Sequence, residues 1–228
     1  MCGRISTADL SGETLQDHFG LDQVAAFRQS YNIAPSAPVP VVRQLKETRS
    51  LELLHWGLIP HWAKDREIAR HTFNARIETV AEKPSFRQAI RSKRCILPVS
   101  GFYEWQKQGA VKQPYFIHRP GAAPLALAGL WDRWCDTASG ELVESCSIVT
   151  MPAKGAMKSL HHRMPAMLEP EHYDVWLDPE FRETHILQDL LESTAAELEL
   201  YAVSGYVSNA RHDGVQCVEP LESRISSD

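Results

Sequence analysis

Apolar residues along the chain fall mainly into short runs of strand length that are flanked by turn residues. The longer runs are "SLELLHWGLIP", "RCILPVSGFYEW" and "PLALAGLWDRW", and shorter ones are "QPYFIHR", "ESCSIVTM" and "LELYAVS". Their aromatic, leucine and β-branched content predicts many short strands. The polar stretch "KQGAVK" lies between "YEWQ" and "QPYFI" and predicts a hairpin turn centred on Gly109.

A smaller set of segments has apolar residues at the spacing of a helix. In "LSGETLQDHFG", Leu15 and Phe19 share one side and Gly20 gives a stop signal. Helices are also predicted in "KPSFRQAIRS", "EPEHYDVWL" and "HILQDLLEST". Strand hairpins with helices between them indicate an α+β fold with a mainly antiparallel sheet, although the strand order does not follow from the pattern. No repeat or linker divides the chain, so we expect a single domain over residues 1–228, with a flexible tail from about residue 221.

The amino-acid composition indicates which classes of protein the chain does not resemble. The chain of 228 residues is 43% hydrophobic and 23% charged, and it has neither a long apolar run nor a basic, then apolar, N-terminal segment. We therefore expect no membrane span and no secretory signal. The five cysteines are odd in number and form no C-x-x-C pair, which favours neither disulfides nor a zinc site and fits a cytoplasmic protein. No metal or cofactor is expected.

The charge pattern gives an ambiguous indication of nucleic-acid binding. A net charge of −5 argues against a protein that coats nucleic acid nonspecifically. The run "RQAIRSKR" nevertheless places Arg87, Arg91, Lys93 and Arg94 close together with no acidic residue among them. By itself such a run is more typical of a solvated helix face than of a binding site.

Four segments combine polar residues, glycine or proline, and aromatic or apolar neighbours: "MCGR", "FNARIET", "SGFYEWQ" and "HHRMP". If "FNARIET" is an extended strand, Asn74, Arg76 and Glu78 share one face, either exposed to solvent or as a polar wall of a pocket. Glu104 lies among bulky aromatic residues, where burial favours the protonated carboxyl that a general acid needs, or it is a surface position. His161 is suited to proton transfer near neutral pH, although a structural role is more common for a lone histidine.

Taken together and in this order, the segments resemble the SRAP family, the SOS-response-associated peptidases, also known as abasic-site-processing proteins. The motifs that carry the resemblance are "MCGR", "YNIAPS", "WGLIPHWAKD", "FNARIET", "RCILPVSGFYEW", "QPYFI", "SIVT", "HHRMPAML" and "VSGYVSNAR", from residue 1 to about residue 210. The resemblance implies a bent β-sheet that forms a pseudo-barrel with surrounding helices. It also implies that removal of Met1 leaves Cys2 as the N-terminus, at the floor of a groove for single-stranded DNA.

The resemblance further implies a chemistry. Cys2 would capture the aldehyde of an abasic site as a thiazolidine crosslink, with AP-lyase activity as a second outcome, and so protect the lesion during the response to DNA damage. It assigns catalytic positions to Cys2, Asn74, Glu104 and His161. On the same basis we expect DNA contacts from a second set of residues: Arg4, Trp62, Arg76, Arg87, Arg91, Arg94 and Arg163.

Two other functions remain open from the sequence. Cys2, His161 and Asn74 match the residue types of a thiol peptidase, which could also remove Met1. A non-covalent reader of modified DNA is the third class. The expected partners are single-stranded DNA with an abasic site and replication-associated proteins, and the expected state is a monomer in the cytoplasm, on the nucleoid when bound to DNA.

Overall fold

The computed structural model describes residues 2–194 and 196–221, and only the backbone of Ala122. The strands are β1 (Ile5–Ser6), β2 (Gln23–Val24), β3 (Pro38–Leu45), β4 (Thr48–Trp56), β5 (Asn74–Arg76), β6 (Arg94–Val99), β7 (Gly101–Gln108), β8 (Val111–His118), β9 (Leu125–Cys135), β10 (Leu142–Pro152), β11 (Arg163–Pro165), β12 (Met167–Leu168) and β13 (Glu199–Ala202). The α-helices are α1 (Gly12–Phe19), α2 (Ala89–Ser92), α3 (Tyr173–Leu177) and α4 (Thr184–Ser193).

Five strands close into a barrel. The pairing runs β10–β4–β3–β6–β9 and returns from β9 to β10, so that the sheet has no free edge at these strands. All of these pairings are antiparallel except that of β10 with β4, where Ser145 lies opposite His55. Fully buried side chains such as Val41, Ile96 and Ile148 fill the core. The predicted α+β class and mainly antiparallel barrel are confirmed.

A second sheet lies beside the barrel, with the order β1–β7–β8–β13. In the β7–β8 hairpin Gln108 pairs with Val111, which leaves Gly109 and Ala110 as the turn. Gly109 has a φ of 61°, a left-handed conformation that glycine adopts at little cost. The hairpin predicted at Gly109 is therefore present, and it places Glu104 of β7 next to the N-terminal strand.

The predicted helices differ in how much of each is formed. Helix α1 begins after Ser11, whose side chain accepts a hydrogen bond from the Thr14 N–H at 3.0 Å, and it ends at Gly20 with a left-handed φ of 62°. Helix α4 occupies its predicted segment. The segment "KPSFRQAIRS" forms turns and then only the four residues of α2, and α3 is preceded by a 3-10 turn at Pro170–His172.

Strand β3 was not predicted, because Pro38 and Pro40 interrupt its apolar pattern. The structure accommodates both prolines in the half of β3 that pairs with β4 alone, since β6 pairs with β3 only at Val42. Proline lacks the N–H that a second neighbour would need, so it is tolerated in the part of the strand that is paired on one side only.

The sequence predicts a flexible tail from about residue 221 and no membrane span. Leu221 donates its N–H to the Ala202 carbonyl at 2.8 Å, and the rest of the predicted tail lies outside the described residues. Among the residues that the structure describes, no helix is both long and apolar enough to cross a membrane.

Candidate active site

Cys2 is buried and is bonded to the barrel through its backbone. Its side chain has no exposed surface, and its carbonyl accepts a hydrogen bond from Asn74 Nδ2 at 2.7 Å. Asn74 begins β5, which runs parallel to β10 with Asn74 opposite Ile148. The amide of "NAR" therefore fixes the start of the chain against the central strand of the sheet.

The pairing of β1 with β7 brings Glu104 close to Cys2. Ile5 lies opposite Phe102, and the Tyr103 N–H donates to the Arg4 carbonyl at 3.0 Å. The Glu104 side chain is only 4% exposed. Burial raises the pKa of the Cys2 thiol, and the charge of Glu104 raises it further. The thiol is therefore neutral at physiological pH.

His161 follows a 3-10 helix at Gly155–Ser159 and precedes β11. Its backbone N–H donates to the Met157 carbonyl at 3.0 Å, and its Nδ1 accepts the Arg163 N–H at 2.9 Å. The same Nδ1 lies 3.2 Å from the Arg163 carbonyl, so the backbone of Arg163 fixes the position of the ring. Burial lowers the pKa of His161, and the charge of Glu104 opposes this shift. Glu104 is thus close enough to act on both Cys2 and His161.

The four predicted catalytic residues are consequently linked, Asn74 to Cys2 by a hydrogen bond and Glu104 to Cys2 and His161 through its charge. The amide of Asn74 adds an acceptor there, because its Oδ1 is buried and has no hydrogen-bond partner among the described residues. An amine or a hydroxyl group would satisfy that oxygen. The site therefore combines a neutral thiol, a carboxyl group, an imidazole and an amide oxygen.

Arg163 does not face solvent. It is 7% exposed and forms a two-pronged ion pair with Glu78, with 3.0 Å between Nη2 and Oε2, and it also donates to the Thr150 carbonyl at 2.6 Å. Glu78 lies in a 3-10 turn at Ile77–Thr79, so the extended strand predicted for "FNARIET" ends at Arg76. The placement of Arg163 corrects the expectation of a direct DNA contact, because the guanidinium is already bonded inside the protein.

Arg94 is likewise internal. It is 3% exposed and donates to the carbonyls of Trp176, Ile90 and Asp178, with 2.6 Å to Trp176 and 2.9 Å to Ile90. Burial lowers its pKa to about 10. Arg94 therefore joins β6 to α2 and to the end of α3, which is a structural role and not the predicted DNA contact.

Arg4 is half-buried and bonded on its inner side. Its Nη1 donates to Asn32 Oδ1 at 2.7 Å and to the Val207 carbonyl at 2.6 Å, and its guanidinium lies 5.8 Å from the centre of the Trp105 ring. Burial lowers its pKa. Arg4 thus links the N-terminal strand to the segment near residue 207.

The remaining predicted DNA contacts are exposed. These are Arg76, Arg87, Arg91 and Trp62, and the Trp62 side chain is 48% exposed. Trp62 lies in a turn, and its indole N–H donates to the Pro84 carbonyl at 3.4 Å. The neighbouring His61 donates its backbone N–H to Asp132 Oδ2 at 2.9 Å and places Nδ1 3.1 Å from the same oxygen.

Asp132 holds this loop and was not predicted from the sequence. Burial alone would raise its pKa, but hydrogen bonds from Lys93 and His61 outweigh burial and lower it. An ionised Asp132 therefore holds the loop and presents Trp62 to solvent. The only sequence signal was an aspartate between two tryptophans in "LWDRW".

The described residues contain no group of three or more histidine, cysteine or acidic side chains placed to bind a metal ion.

Comparison with known proteins gives consistent matches over most of the chain. The family model "SOS response associated peptidase (SRAP)" matches residues 1–210. The abasic site processing protein YoaM of Bacillus subtilis is 36% identical over 224 residues, covering 96% of this chain and 98% of the relative. The abasic site processing protein HMCES of Gallus gallus is 32% identical, covering 86% of this chain and 67% of the relative.

A solved structure also matches the fold. A protein from Bacteroides thetaiotaomicron superposes with a TM-score of 0.85 at 28% identity, covering 96% of this chain and all of the other.

Proposed function

This chain belongs to the SOS response associated peptidase (SRAP) family, and from that premise we propose that it processes abasic sites in single-stranded DNA by forming a covalent crosslink through Cys2. The names of its relatives support the class of substrate. The observation that carries the proposal is the convergence of Asn74, Glu104 and His161 on Cys2.

The first step requires an unprotonated amine, and this requirement favours the N-terminus. An α-amine has a pKa of about 7.7–8.0 and a lysine amine about 10.4. At neutral pH the neutral fraction is about a tenth for the α-amine and on the order of 10⁻³ or less for lysine. Cys2 has an α-amine only after Met1 is removed, so this removal is part of the proposal.

The crosslink then forms in two steps. The α-amine of Cys2 adds to the aldehyde carbon C1′. The Glu104 carboxylate takes the proton that the nitrogen loses and passes it to the resulting hydroxyl, which leaves as water and gives an imine. The thiol of Cys2 next adds to C1′, and its proton moves to the nitrogen as the five-membered ring closes. The two nucleophiles lie on one residue, so the second step is intramolecular and fast.

Two residues assist these steps. Asn74 Oδ1 accepts a hydrogen bond from the amine or from a sugar hydroxyl, which satisfies a buried acceptor that otherwise lacks a partner among the described residues. His161 moves protons on the ring-closing and ring-opening paths.

AP-lyase activity is a second outcome of the same imine. The imine makes the C2′ protons acidic, and a base that removes one of them expels the 3′ phosphate and breaks the strand. Closing the thiazolidine ring consumes the imine and so prevents this elimination. The balance between the two outcomes depends on how quickly the Cys2 thiol reaches C1′.

The peptidase alternative has less support from the site. A cysteine nucleophile that cuts peptides acts as a thiolate with a lowered pKa. Burial and the charge of Glu104 both raise the pKa of the Cys2 thiol. A neutral thiol that waits for an imine fits this environment better than a thiolate.

The DNA path that we propose uses the exposed cations and the exposed indole. Arg76, Arg87 and Arg91 would contact phosphates, and Trp62 would stack on a base. Arg94 and Arg163 are excluded from this set because they are buried.

The test uses single-stranded DNA with one abasic site and purified protein whose intact mass shows that Met1 is absent. We expect an adduct that survives denaturation and that is lost in Cys2→Ala. The matched control is Cys135→Ala, which removes an exposed cysteine and should leave the adduct unchanged. Absence of an adduct with the correctly processed protein would overturn the proposal.

A further inference from the structure

A second cavity, of about 200 Å³, lies on the β1–β7–β8–β13 sheet and shares no residue with the candidate active site. Its walls include Asp9, Tyr31, Phe116, His118 and Tyr201. Pockets for whole drug-sized ligands are about 300–1,000 Å³. This cavity is therefore suited to a small group or to the end of a longer molecule.

Three of the rings form a concave corner. Phe116 and His118 are nearly parallel, with centroids 5.6 Å apart and planes 17° apart. Tyr201 is inclined by 57° to Phe116 and by 65° to His118, at 5.8 Å and 5.5 Å. A Cβ on Gly101 would lie 2.3 Å from Phe116 Cζ, so a glycine at this position is required for the ring to pack as it does. The corner is thus a fixed part of the fold.

Three hydrogen-bond donors at the cavity are bonded to the protein itself. The Tyr201 hydroxyl donates to the Val218 carbonyl at 2.8 Å, and His118 Nδ1 donates to the Arg119 carbonyl at 2.9 Å. The Ser100 hydroxyl donates to Ser6 Oγ at 3.0 Å. The walls therefore offer aromatic surface to a ligand in preference to donors.

The charge around the cavity is negative. Asp9 brings a carboxylate to the wall, and no lysine or arginine is found among the described residues that line it. Asp9 has a left-handed φ of 62°, and its N–H donates to Gln29 Oε1 at 3.2 Å, which places it at the rim. Glu199, 3.7 Å from His118 Nε2, adds a second carboxylate nearby. These acids disfavour a DNA phosphate and favour a cation.

We propose that this cavity binds a methylated ammonium group. Such a cation combines a positive charge with apolar methyl groups, so it is attracted to aromatic faces and to a carboxylate without needing hydrogen-bond donors. The source is either a free quaternary amine or a methylated lysine on a protein. Both present the same chemistry to the Phe116–His118–Tyr201 corner.

The test is an NMR titration of the full chain with tetramethylammonium chloride, compared with sodium chloride at equal ionic strength. We expect saturable shifts in the amides of Ser100 and Gly101 with the first salt only. Asp9→Asn and Tyr201→Leu should each weaken binding at least fivefold, while Tyr201→Phe, which keeps the ring, should bind within twofold of the parent. Asp17→Asn, at an exposed acid on α1, is the control for general electrostatics.

A second titration identifies the source. A peptide with trimethyl-lysine is compared with the same peptide unmethylated, and tighter binding of the methylated form than of tetramethylammonium indicates a protein partner. Binding of tetramethylammonium alone indicates a free amine. Non-saturable shifts equal to those of sodium chloride, or equal binding by Tyr201→Leu in a variant that melts as a folded protein, would overturn the proposal. Neither result bears on crosslinking by Cys2.

Discussion

Cys2 is the residue on which the proposed chemistry depends, and its surroundings keep the thiol protonated. Burial and the nearby charge of Glu104 act in the same direction on its pKa. The α-amine is the better nucleophile toward an aldehyde under these conditions, and the thiol is held beside it for the second step. At the scale of single residues, the site thus favours an ordered reaction with amine first and sulfur second.

Glu104→Gln tests the acid step. The amide has nearly the same shape but cannot give a proton to the departing hydroxyl, so we expect crosslinking at neutral pH to slow by about 10²-fold. The rate is measured by quenching the reaction at intervals and resolving the adduct on a denaturing gel. An unchanged rate in a variant with the parent's melting temperature would remove Glu104 from the mechanism.

His161→Ala tests the reverse path. Ring opening breaks the bond between C1′ and sulfur. The sulfur must then receive a proton, and we propose that His161 donates it. We expect release of DNA from the purified adduct to slow at least tenfold. His162→Ala is the matched control, because His162 stacks on His161 at 4.2 Å and has no assigned role. Equal release by the parent and His161→Ala would contradict the assignment.

The residue types of the site could be predicted from the sequence, but their contacts could not. The motif order identified Cys2, Asn74, Glu104 and His161 as a set. It did not show that Arg163 pairs with Glu78, because those residues are far apart in the chain and meet only through β10. A motif specifies which groups are present, while the sheet decides which of them remain available to a ligand.

At the scale of elements, the junction between α2 and β6 separates two roles. Arg91 is exposed, whereas Arg94 points inward to the carbonyls of Ile90 and Trp176. The run "RQAIRSKR" is uniform in charge, so the sequence predicted the same contact for both residues. Burial of Arg94 depends on α3, which packs against this end of β6 from more than 70 residues away.

A matched pair of variants tests this difference. We expect Arg94→Ala to lower the free energy of unfolding by about 2–4 kcal/mol, because it leaves buried carbonyls without donors. Arg91→Ala should leave stability within about 0.5 kcal/mol and reduce the slope of log affinity against log salt for single-stranded DNA by about one. Denaturant melts and a salt titration measure the two effects. The reverse pattern would show that the roles are exchanged.

The Trp62 loop can be tested in the same way. Asp132 bonds to both the backbone and the ring of His61, so the loop is ordered before DNA arrives. Trp62→Ala should weaken binding of single-stranded DNA by about 1–3 kcal/mol, the usual contribution of one stacked base. Val111→Ala, at an exposed apolar residue of the β7–β8 hairpin, is the control and should bind normally. Equal affinity of the two variants would contradict a stacking role.

At the scale of the whole molecule, the barrel depends on pairings that the sequence pattern could not reveal. Strand β10 pairs in parallel with β4 and β5 and antiparallel with β9 and β11. The apolar runs predicted most of these strands, and the class of fold followed from them. Their order did not, because a hydrophobic pattern records which face of a strand is buried and not which neighbour it has.

Acid should destabilise the fold in two stages. Burial lowers the pKa of His18, His55 and His161 below 6.5, so the unfolded chain binds more protons and stability falls as the pH drops through about 6.5. The carboxyl pKa values of Glu52, Glu78, Glu144 and Asp132 are also lowered, so a second and larger loss follows below about pH 4.5. Melting temperatures from pH 8 to pH 3 measure both stages. A melting temperature that is constant down to pH 5 would contradict the first.

The burial of Cys2 limits the time during synthesis in which the bond between Met1 and Cys2 is accessible. The residues that enclose it are made much later than Cys2 itself: Asn74 first, then Glu104, and His161 last. Ribosomes add about 5–20 residues per second, so the chain needs on the order of 5–20 s to reach Glu104. During that interval the bond between Met1 and Cys2 lies in a chain whose enclosing strands do not yet exist. On the proposed function, removal of Met1 is therefore easiest before these strands are made, because Cys2 is buried once the chain has folded.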